Sequence, residues 1–133
     1  MIFVDTGAFL ARHIEADEHH EAGVRGWRRL AAKGEPCSTS NFVLDEAFTL
    51  LARRAEYSFA VERARSMYAS QVLTILRPTQ DDELVSIDFF EKFADQEVSF
   101  TDCVSFALML RTRMRRAFSF DRHFRHAGFE VWP

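Results

Sequence analysis

Cysteine, proline, glycine and lysine are all scarce in this sequence. Its 133 residues include two Cys, three Pro, five Gly and only two Lys. Cys37 and Cys103 stand far apart, with no CxxC pair and no Cys/His cluster, which excludes a zinc ribbon and a disulfide framework. We therefore expect two buried, reduced thiols in a cytoplasmic protein.

Long hydrophobic runs are also missing. The longest stretch without a charged residue, positions 66–76, covers 11 residues, whereas a membrane helix needs about 20. The opening residues MIFVD contain no basic region before an apolar run, so we expect no signal peptide and no membrane anchor. No repeat or Pro/Gly-rich linker interrupts the chain, which predicts a single domain over residues 1–133.

Apolar and charged residues are present in ordinary globular proportions. Hydrophobic residues make up 47% of the chain and include 14 Phe, enough for a core without disulfides or a structural metal. The net charge of −3 does not by itself suggest a nucleic-acid binder. However, 15 of the 17 basic residues are Arg, which binds phosphate bidentately and is also common in proteins from high-GC genomes.

The spacing of the apolar residues alternates between strand-like and helix-like along the whole chain. Strands are predicted at 1–4, 35–39, 72–76 and 117–120, with a short edge strand at 130–132. Helices are predicted at 6–14, 19–32, 41–55, 59–69, 81–94 and 101–116. Strands that alternate with crossover helices form a parallel sheet covered on both faces. We therefore predict a three-layer α/β/α domain with a mainly parallel sheet of four to five strands.

Three aspartates stand where a strand ends or a helix begins. Asp5 follows the first strand, Asp121 follows the fourth, and Asp102 opens the helix between them. Each has an ordinary explanation as a helix N-cap, and Asp102 also fits a capping box with Ser99. Ligand sites of open parallel sheets nevertheless form at the carboxyl ends of the strands, where these acids meet. Carboxylates gathered in one crevice repel each other and favour a hard divalent cation.

Glu46 is a fourth candidate. On a helical wheel of residues 41–55 it lies at the margin of the apolar arc, whereas its neighbour Asp45 points toward solvent. Glu46 can therefore lean over the edge of the sheet, although a solvated charge on the helix flank explains the same spacing.

Four strings in order, FVDTGAF, NFVLDEAFTLL, SFTDCVSFALM and FSFDRHF, carry a family resemblance. Together they resemble the PIN-domain nucleases, and in particular the single-domain ribonuclease toxins of VapBC toxin–antitoxin systems. The resemblance covers essentially the whole chain. No single string is specific; the order and spacing of all four carry the resemblance.

The resemblance implies a metal-dependent endoribonuclease. The residues that match the family's acidic quartet, which holds one or two Mg²⁺ or Mn²⁺ ions, are Asp5, Glu46, Asp102 and Asp121. Thr6 and Ser119 match positions where the family often has supporting hydroxyl groups. Gly7 stands where many members have Ser, a departure that concerns one supporting hydrogen bond and not the metal site itself.

The resemblance also implies partners: an RNA substrate, a cognate antitoxin protein and a second copy of the chain. Substrate contacts are expected from basic side chains near the acids, namely Arg122, His123, Arg125, Arg12 and His13. The Arg run at 111–116 is expected near the opposite sheet edge, because one helix carries it away from Asp102. The dimer surface is expected on the helices of 41–69, through Phe48, Tyr57, Phe59 and Tyr68.

Other acidic-pocket folds fit the sequence less well. Haloacid-dehalogenase-like phosphatases need a second Asp two residues after the first, where this chain has Gly7. Response-regulator receivers need a Lys after a late strand, and neither Lys33 nor Lys92 stands there. His123 and His126 could pair on a zinc ion, but no third ligand is evident. The remaining alternative is a non-catalytic PIN-like module that binds RNA or protein.

Overall fold

Five strands and seven helices alternate along the chain in the computed structural model, which describes residues 1–133. The strands are β1 (Ile2–Val4), β2 (Cys37–Ser40), β3 (Leu73–Leu76), β4 (Arg116–Phe118) and β5 (Glu130–Trp132). The helices are α1 (Thr6–His13), α2 (His20–Lys33), α3 (Asn41–Arg54), α4 (Tyr57–Ala69), α5 (Gln80–Lys92), α6 (Phe100–Thr112) and α7 (His123–His126). A 3₁₀ turn, Ala94–Gln96, lies between α5 and α6.

The strands form one sheet in the order β3-β2-β1-β4-β5, and every neighbouring pair is parallel. The chain first moves outward from β1 to β3 and then crosses to β4 on the other side of β1. Right-handed crossovers therefore place α1–α4 on one face and α5–α7 on the other. The predicted three-layer fold is confirmed, and all five predicted strands are present.

The sheet core is formed by apolar residues at its centre. All three residues of β1 are 0% exposed, as is Phe118 of β4. Trp27 of α2 packs on Phe118 with ring centroids 5.2 Å apart, and Gly26 lets the helix approach the same ring. A Cβ on Gly26 would lie 2.7 Å from Phe118 Cζ, so this close contact requires glycine.

Strand β2 is polar in sequence and yet fully buried. Its hydroxyl groups find partners inside the fold: Thr39 Oγ1 donates to the Val4 carbonyl at 2.8 Å, and Ser40 Oγ accepts from Val43 N at 3.1 Å. The second contact caps α3, so β2 fixes the start of the helix that carries Glu46.

Helix α6 is shorter than predicted. We expected it to continue to Arg116, but it ends at Thr112 because Arg113 adopts a left-handed conformation with φ of 59°. Met114 N then bonds to the Met109 carbonyl at 2.9 Å, which closes the helix end. The Arg run therefore spans a helix end, a turn and the start of β4 rather than one continuous helix.

The predicted capping box at Ser99 is only half formed. Ser99 Oγ accepts from Asp102 N at 3.1 Å, but the Asp102 carboxylate makes no return hydrogen bond to the Ser99 backbone. The complete box lies instead at the start of α5, between Thr79 and Asp82. The Asp102 carboxylate is thus free to face the neighbouring sheet edge.

No helix of the protein combines the length and apolar character needed to cross a bilayer.

Candidate active site

The predicted acids meet at the carboxyl edge of the sheet, between β1 and β4. Asp5 directly follows β1, and Asp121 lies three residues after β4. Asp102 is in the first turn of α6, which leads into β4. The strand order reverses between β1 and β4, and this reversal opens a crevice in which parallel sheets bind ligands.

Ser119 holds two of the acidic segments together. Its Oγ donates to Asp5 Oδ2 at 2.9 Å and accepts from Asp121 N at 3.0 Å. Both Ser119 and Asp5 are almost fully buried, at 1% and 4% exposure. The other Asp5 oxygen, Oδ1, is buried without a hydrogen-bond partner. A buried carboxylate oxygen with no donor normally needs a cation or ordered water.

His123 lies between the other two aspartates. Its Nδ1 is 3.0 Å from Asp121 Oδ1 and 3.9 Å from Asp102 Oδ2. One ligand atom from each of these three residues lies within 4.8 Å of the others. The backbone N of His123 also donates to Asp121 Oδ1 at 2.8 Å, which fixes that carboxylate at the start of α7.

Burial and mutual repulsion raise the pKa of the two innermost acids. Burial raises the pKa of Asp5 from 3.8 to about 7. The hydrogen bond from Ser119 lowers this pKa, whereas the negative charges of Asp121 and Glu46 raise it further. Burial also raises the pKa of Asp102 to about 9, and Asp5 is the next contributor. In these surroundings ionised carboxylates are unstable unless a positive charge joins them.

The site fits a divalent cation. Asp5, Glu46, Asp102, Asp121 and His123 all line one open cavity of about 410 Å³. Carboxylate oxygens are the ligands that Mg²⁺ and Mn²⁺ prefer, and imidazole is a further acceptable ligand for Mn²⁺. The unpartnered Asp5 Oδ1 supplies a ligand atom that no protein donor uses.

The side-chain N-cap explanation holds for none of the three aspartates. Asp121 accepts from His123 N, but it precedes Arg122, the residue at the N-cap position of α7. Asp5 stands at the N-cap position of α1 and makes no side-chain cap hydrogen bond. Asp102 also caps nothing, because Ser99 has that role at α6. Asp5 and Asp102 are therefore buried carboxylates that cap no helix, although the sequence was compatible with that role.

The expected supporting and substrate-contacting residues lie in different places. Thr6 lines the cavity, with its Oγ1 buried and unpartnered. Arg122 is exposed in an adjoining hollow that shares Glu97 with the acidic cavity. Arg12 and His13, also expected near the substrate, do not line the acidic cavity. The Arg12 guanidinium lies 4.9 Å above the Trp27 ring, and His13 packs edge-on against Phe59.

The Arg run lies away from the acids, as expected. Arg111 binds the Asp82 carboxylate with Nε 2.9 Å from both oxygens, and Arg116 pairs with Glu35. Both arginines are therefore engaged in structural ion pairs. They connect α6 and β4 to neighbouring elements rather than to the cavity.

Several cavity residues had no predicted role there, among them His19, Glu97 and Phe120. Phe120 stands inside the string FSFDRHF, so its place beside Asp121 could have suggested it. Nothing in the sequence signals His19 or Glu97, because each reaches the cavity through a connection between helices. Glu97 does so with a left-handed backbone, φ 54°, that sequence patterns do not reveal.

Comparisons with known proteins agree with this architecture. The PIN-domain family model matches residues 2–130. The sequence is 37% identical over 134 aligned residues to the 23S rRNA-specific endonuclease VapC20 of Mycobacterium tuberculosis, in the H37Rv and CDC 1551 strains alike. The alignment covers 100% of this chain and 99% of that relative.

A solved structure extends the similarity to three dimensions. The crystal structure of Mycobacterium tuberculosis VapC20, described as a sarcin-ricin loop cleaving toxin, superposes with a TM-score of 0.89 at 36% identity. The match covers 100% of both chains. With the sequence, the fold and the acidic cavity in agreement, the chain belongs to the PIN-domain family of nucleases.

Proposed function

We propose that this protein is a metal-dependent endoribonuclease, the toxin of a type II toxin–antitoxin pair, built as one PIN domain over residues 1–133. The observation that carries the proposal is the gathering of Asp5, Asp102 and Asp121 around one cavity, with a buried Asp5 oxygen that no protein group satisfies. A nuclease that hydrolyses phosphodiester bonds through divalent cations needs such a site.

Asp5, Glu46, Asp102 and Asp121 would hold one or two Mg²⁺ or Mn²⁺ ions. Such ions, when bound, activate water as a nucleophile and stabilise the leaving oxygen of a phosphodiester. Ser119 keeps the Asp5 carboxylate in place through its 2.9 Å hydrogen bond. Thr6 supports the same edge, and His123 orients Asp121 or contacts substrate. Arg122 is the exposed cation nearest these acids along the chain.

The proposed substrate is RNA of the large ribosomal subunit, because the relatives are 23S rRNA-specific endonucleases. The net charge of −3 is compatible with this, since two divalent cations add four positive charges at the site that receives the phosphate. Ribosomal RNA as substrate also fits action in the cytoplasm.

Two protein partners complete the proposal. An antitoxin would place a basic side chain in the acidic cavity, because a buried cation relieves the same repulsion that a metal does. A second copy of the chain would cover the apolar side chains exposed on α4, one of the two helices of residues 41–69. On α4 these include Tyr57 at 72% and Tyr68 at 54% exposure. Light scattering of the purified protein measures whether a dimer forms.

The proposal is tested by incubating the purified protein with 23S rRNA and mapping the cut ends. We expect cleavage in Mg²⁺ or Mn²⁺ that stops in EDTA and in Asp102→Asn. The matched control is Asp45→Asn, which removes an exposed carboxylate on α3 next to Glu46 and should cleave normally. Cleavage that persists in Asp102→Asn contradicts the metal mechanism. RNA binding without cleavage by the wild type favours the non-catalytic module instead.

A further inference from the structure

Two aromatic rings stack at the rim of the acidic cavity. The His19 imidazole and the Phe120 ring are 4.4 Å apart at their centroids and tilted by only 3°. Both side chains line the cavity that contains the acids. Phe120 is also the residue between Ser119, which binds Asp5, and Asp121 itself. The stacked pair is therefore directly beside the proposed reaction centre.

Contacts within the fold position both residues of the pair. Phe120 packs edge-on against Phe118, with centroids 6.1 Å apart, and Phe118 is fully buried in the sheet core. The His19 backbone is fixed by a hydrogen bond from its N to Asp17 Oδ1 at 2.9 Å. Core packing thus positions the Phe120 ring, and the turn at Asp17 positions the His19 backbone. A ligand that stacks on the pair therefore costs the protein little conformational freedom.

The His19 side chain is 43% exposed, and its Nε2 lies 3.3 Å from Glu18 Oε1 at the edge of the ring. Since Phe120 covers one face of the imidazole and Glu18 contacts its edge, the exposed area includes the opposite face. A flat, accessible aromatic face beside a phosphate-cleaving centre has the shape and chemistry that an unpaired nucleobase recognises.

We propose that the His19–Phe120 pair is a stacking platform for an unpaired base of the RNA next to the scissile phosphate. The inference rests on the proposed ribonuclease function and adds to it a binding site for a base. Stacking accepts any base, so the platform selects RNA whose bases can leave the helix rather than a particular sequence. The requirement excludes regular double-stranded RNA, whose bases remain paired and stacked.

The platform is tested by single-turnover cleavage of a sarcin–ricin-loop RNA hairpin, which gives the maximal rate and the half-saturating enzyme concentration. Removing a stacking face in His19→Ala should raise the half-saturating concentration about 5- to 50-fold and change the maximal rate less. His19→Phe restores a flat ring without the imidazole nitrogens and should return the value close to wild type. Phe120→Leu should weaken binding in the same direction.

The matched control is His20→Leu. The His20 ring is bound to the Ala11 carbonyl at 2.7 Å and has no place in the cavity lining, so its loss should lower the melting temperature and leave RNA affinity unchanged. If the wild type cleaves the hairpin but His19→Ala binds it equally well, the platform is refuted while the ribonuclease function stands. The same holds if His19→Phe fails to restore binding. If the wild type cleaves no RNA, the proposed function fails, and the platform fails with it.

Discussion

Replacing Asp102 by Asn should stabilise the metal-free protein at alkaline pH while abolishing its proposed nuclease activity. Burial, followed by repulsion from Asp5 and Asp121, raises the pKa of Asp102 to about 9. Between pH 4 and pH 9 the folded protein therefore keeps a proton that the unfolded chain releases. Stability falls as pH rises wherever the folded state binds more protons, so the metal-free wild type should weaken across this range.

The size of the effect follows from the interval over which the proton is held. From the ordinary value of 3.8 up to pH 8, at about 1.4 kcal/mol per pH unit, the wild type loses at most roughly 6 kcal/mol. Water and counter-ions reach the open cavity and screen part of this cost. We therefore expect Asp102→Asn to gain about 2–4 kcal/mol over the wild type at pH 8, or about 6–15 °C in melting temperature.

The assay is thermal and urea unfolding of EDTA-treated protein at pH 5 and pH 8. Wild type should be less stable at pH 8 than at pH 5, and Asp102→Asn should show a smaller difference, which Asp5 with its pKa of about 7 still contributes. Asp45→Asn, which removes an exposed carboxylate, should follow the wild type. Adding Mn²⁺ at pH 8 should stabilise the wild type by about 3 kcal/mol at 100 times its dissociation constant, and should stabilise the variant less.

Two results would refute this reasoning. The first is an equal change in the stabilities of the wild type and the Asp102→Asn variant between pH 5 and pH 8, because the folded protein would then not hold a proton on Asp102 in this range. The second is an Asp102→Asn protein that is less stable than the wild type at pH 8 in EDTA. Asp102 would then be a structural residue.

Three further predictions concern single contacts. Ser119→Ala removes the hydrogen bond to Asp5 and should lower the RNA cleavage rate about 10- to 100-fold with the fold retained by circular dichroism; an unchanged rate would mean that Asp5 needs no such support. Asp82→Ala removes a capping box and leaves Arg111 unpaired, so urea unfolding should show a loss of about 2–4 kcal/mol. Although burial opposes it, the hydrogen bond from Arg111 lowers the pKa of Asp82, so this stabilisation should be present above pH 4 and lost in more acid solution. Gly23→Ala would place a Cβ 2.6 Å from Ala11 Cβ and should destabilise the α1–α2 contact by about 1–3 kcal/mol in the same assay, whereas a neutral effect would show that the helices can separate.

The two Ser/Thr-x-x-Asp patterns show how far sequence reasoning reaches. T79-Q-D-D82 and S99-F-T-D102 are equally good capping-box signals. In the first, Asp82 closes the box and binds Arg111 from the neighbouring helix. In the second, the carboxylate of Asp102 turns to Asp5 and Asp121. Only the tertiary neighbours distinguish the two, and these neighbours are distant in sequence.

The layer order and the strands were predictable because the apolar period changes with each element. The end of α6 was not, because Arg113 terminates the helix in a left-handed conformation that arginine rarely adopts. The acids were expected at the sheet edge because parallel strands place their carboxyl ends together. His19 was not expected there, since only the packed position of α2 brings its ring onto Phe120.

Calorimetric titration of Mn²⁺ into metal-free protein tests most directly whether the carboxylates form one cation site. We predict saturable binding to the wild type, the same binding to Asp45→Asn, and loss of binding in Asp5→Asn. Mn²⁺ suits the purpose because it prefers carboxylate sites and can also accept the imidazole of His123. A well-folded wild type that binds no Mn²⁺, or an Asp5→Asn variant that binds it as tightly as the wild type, would contradict the account.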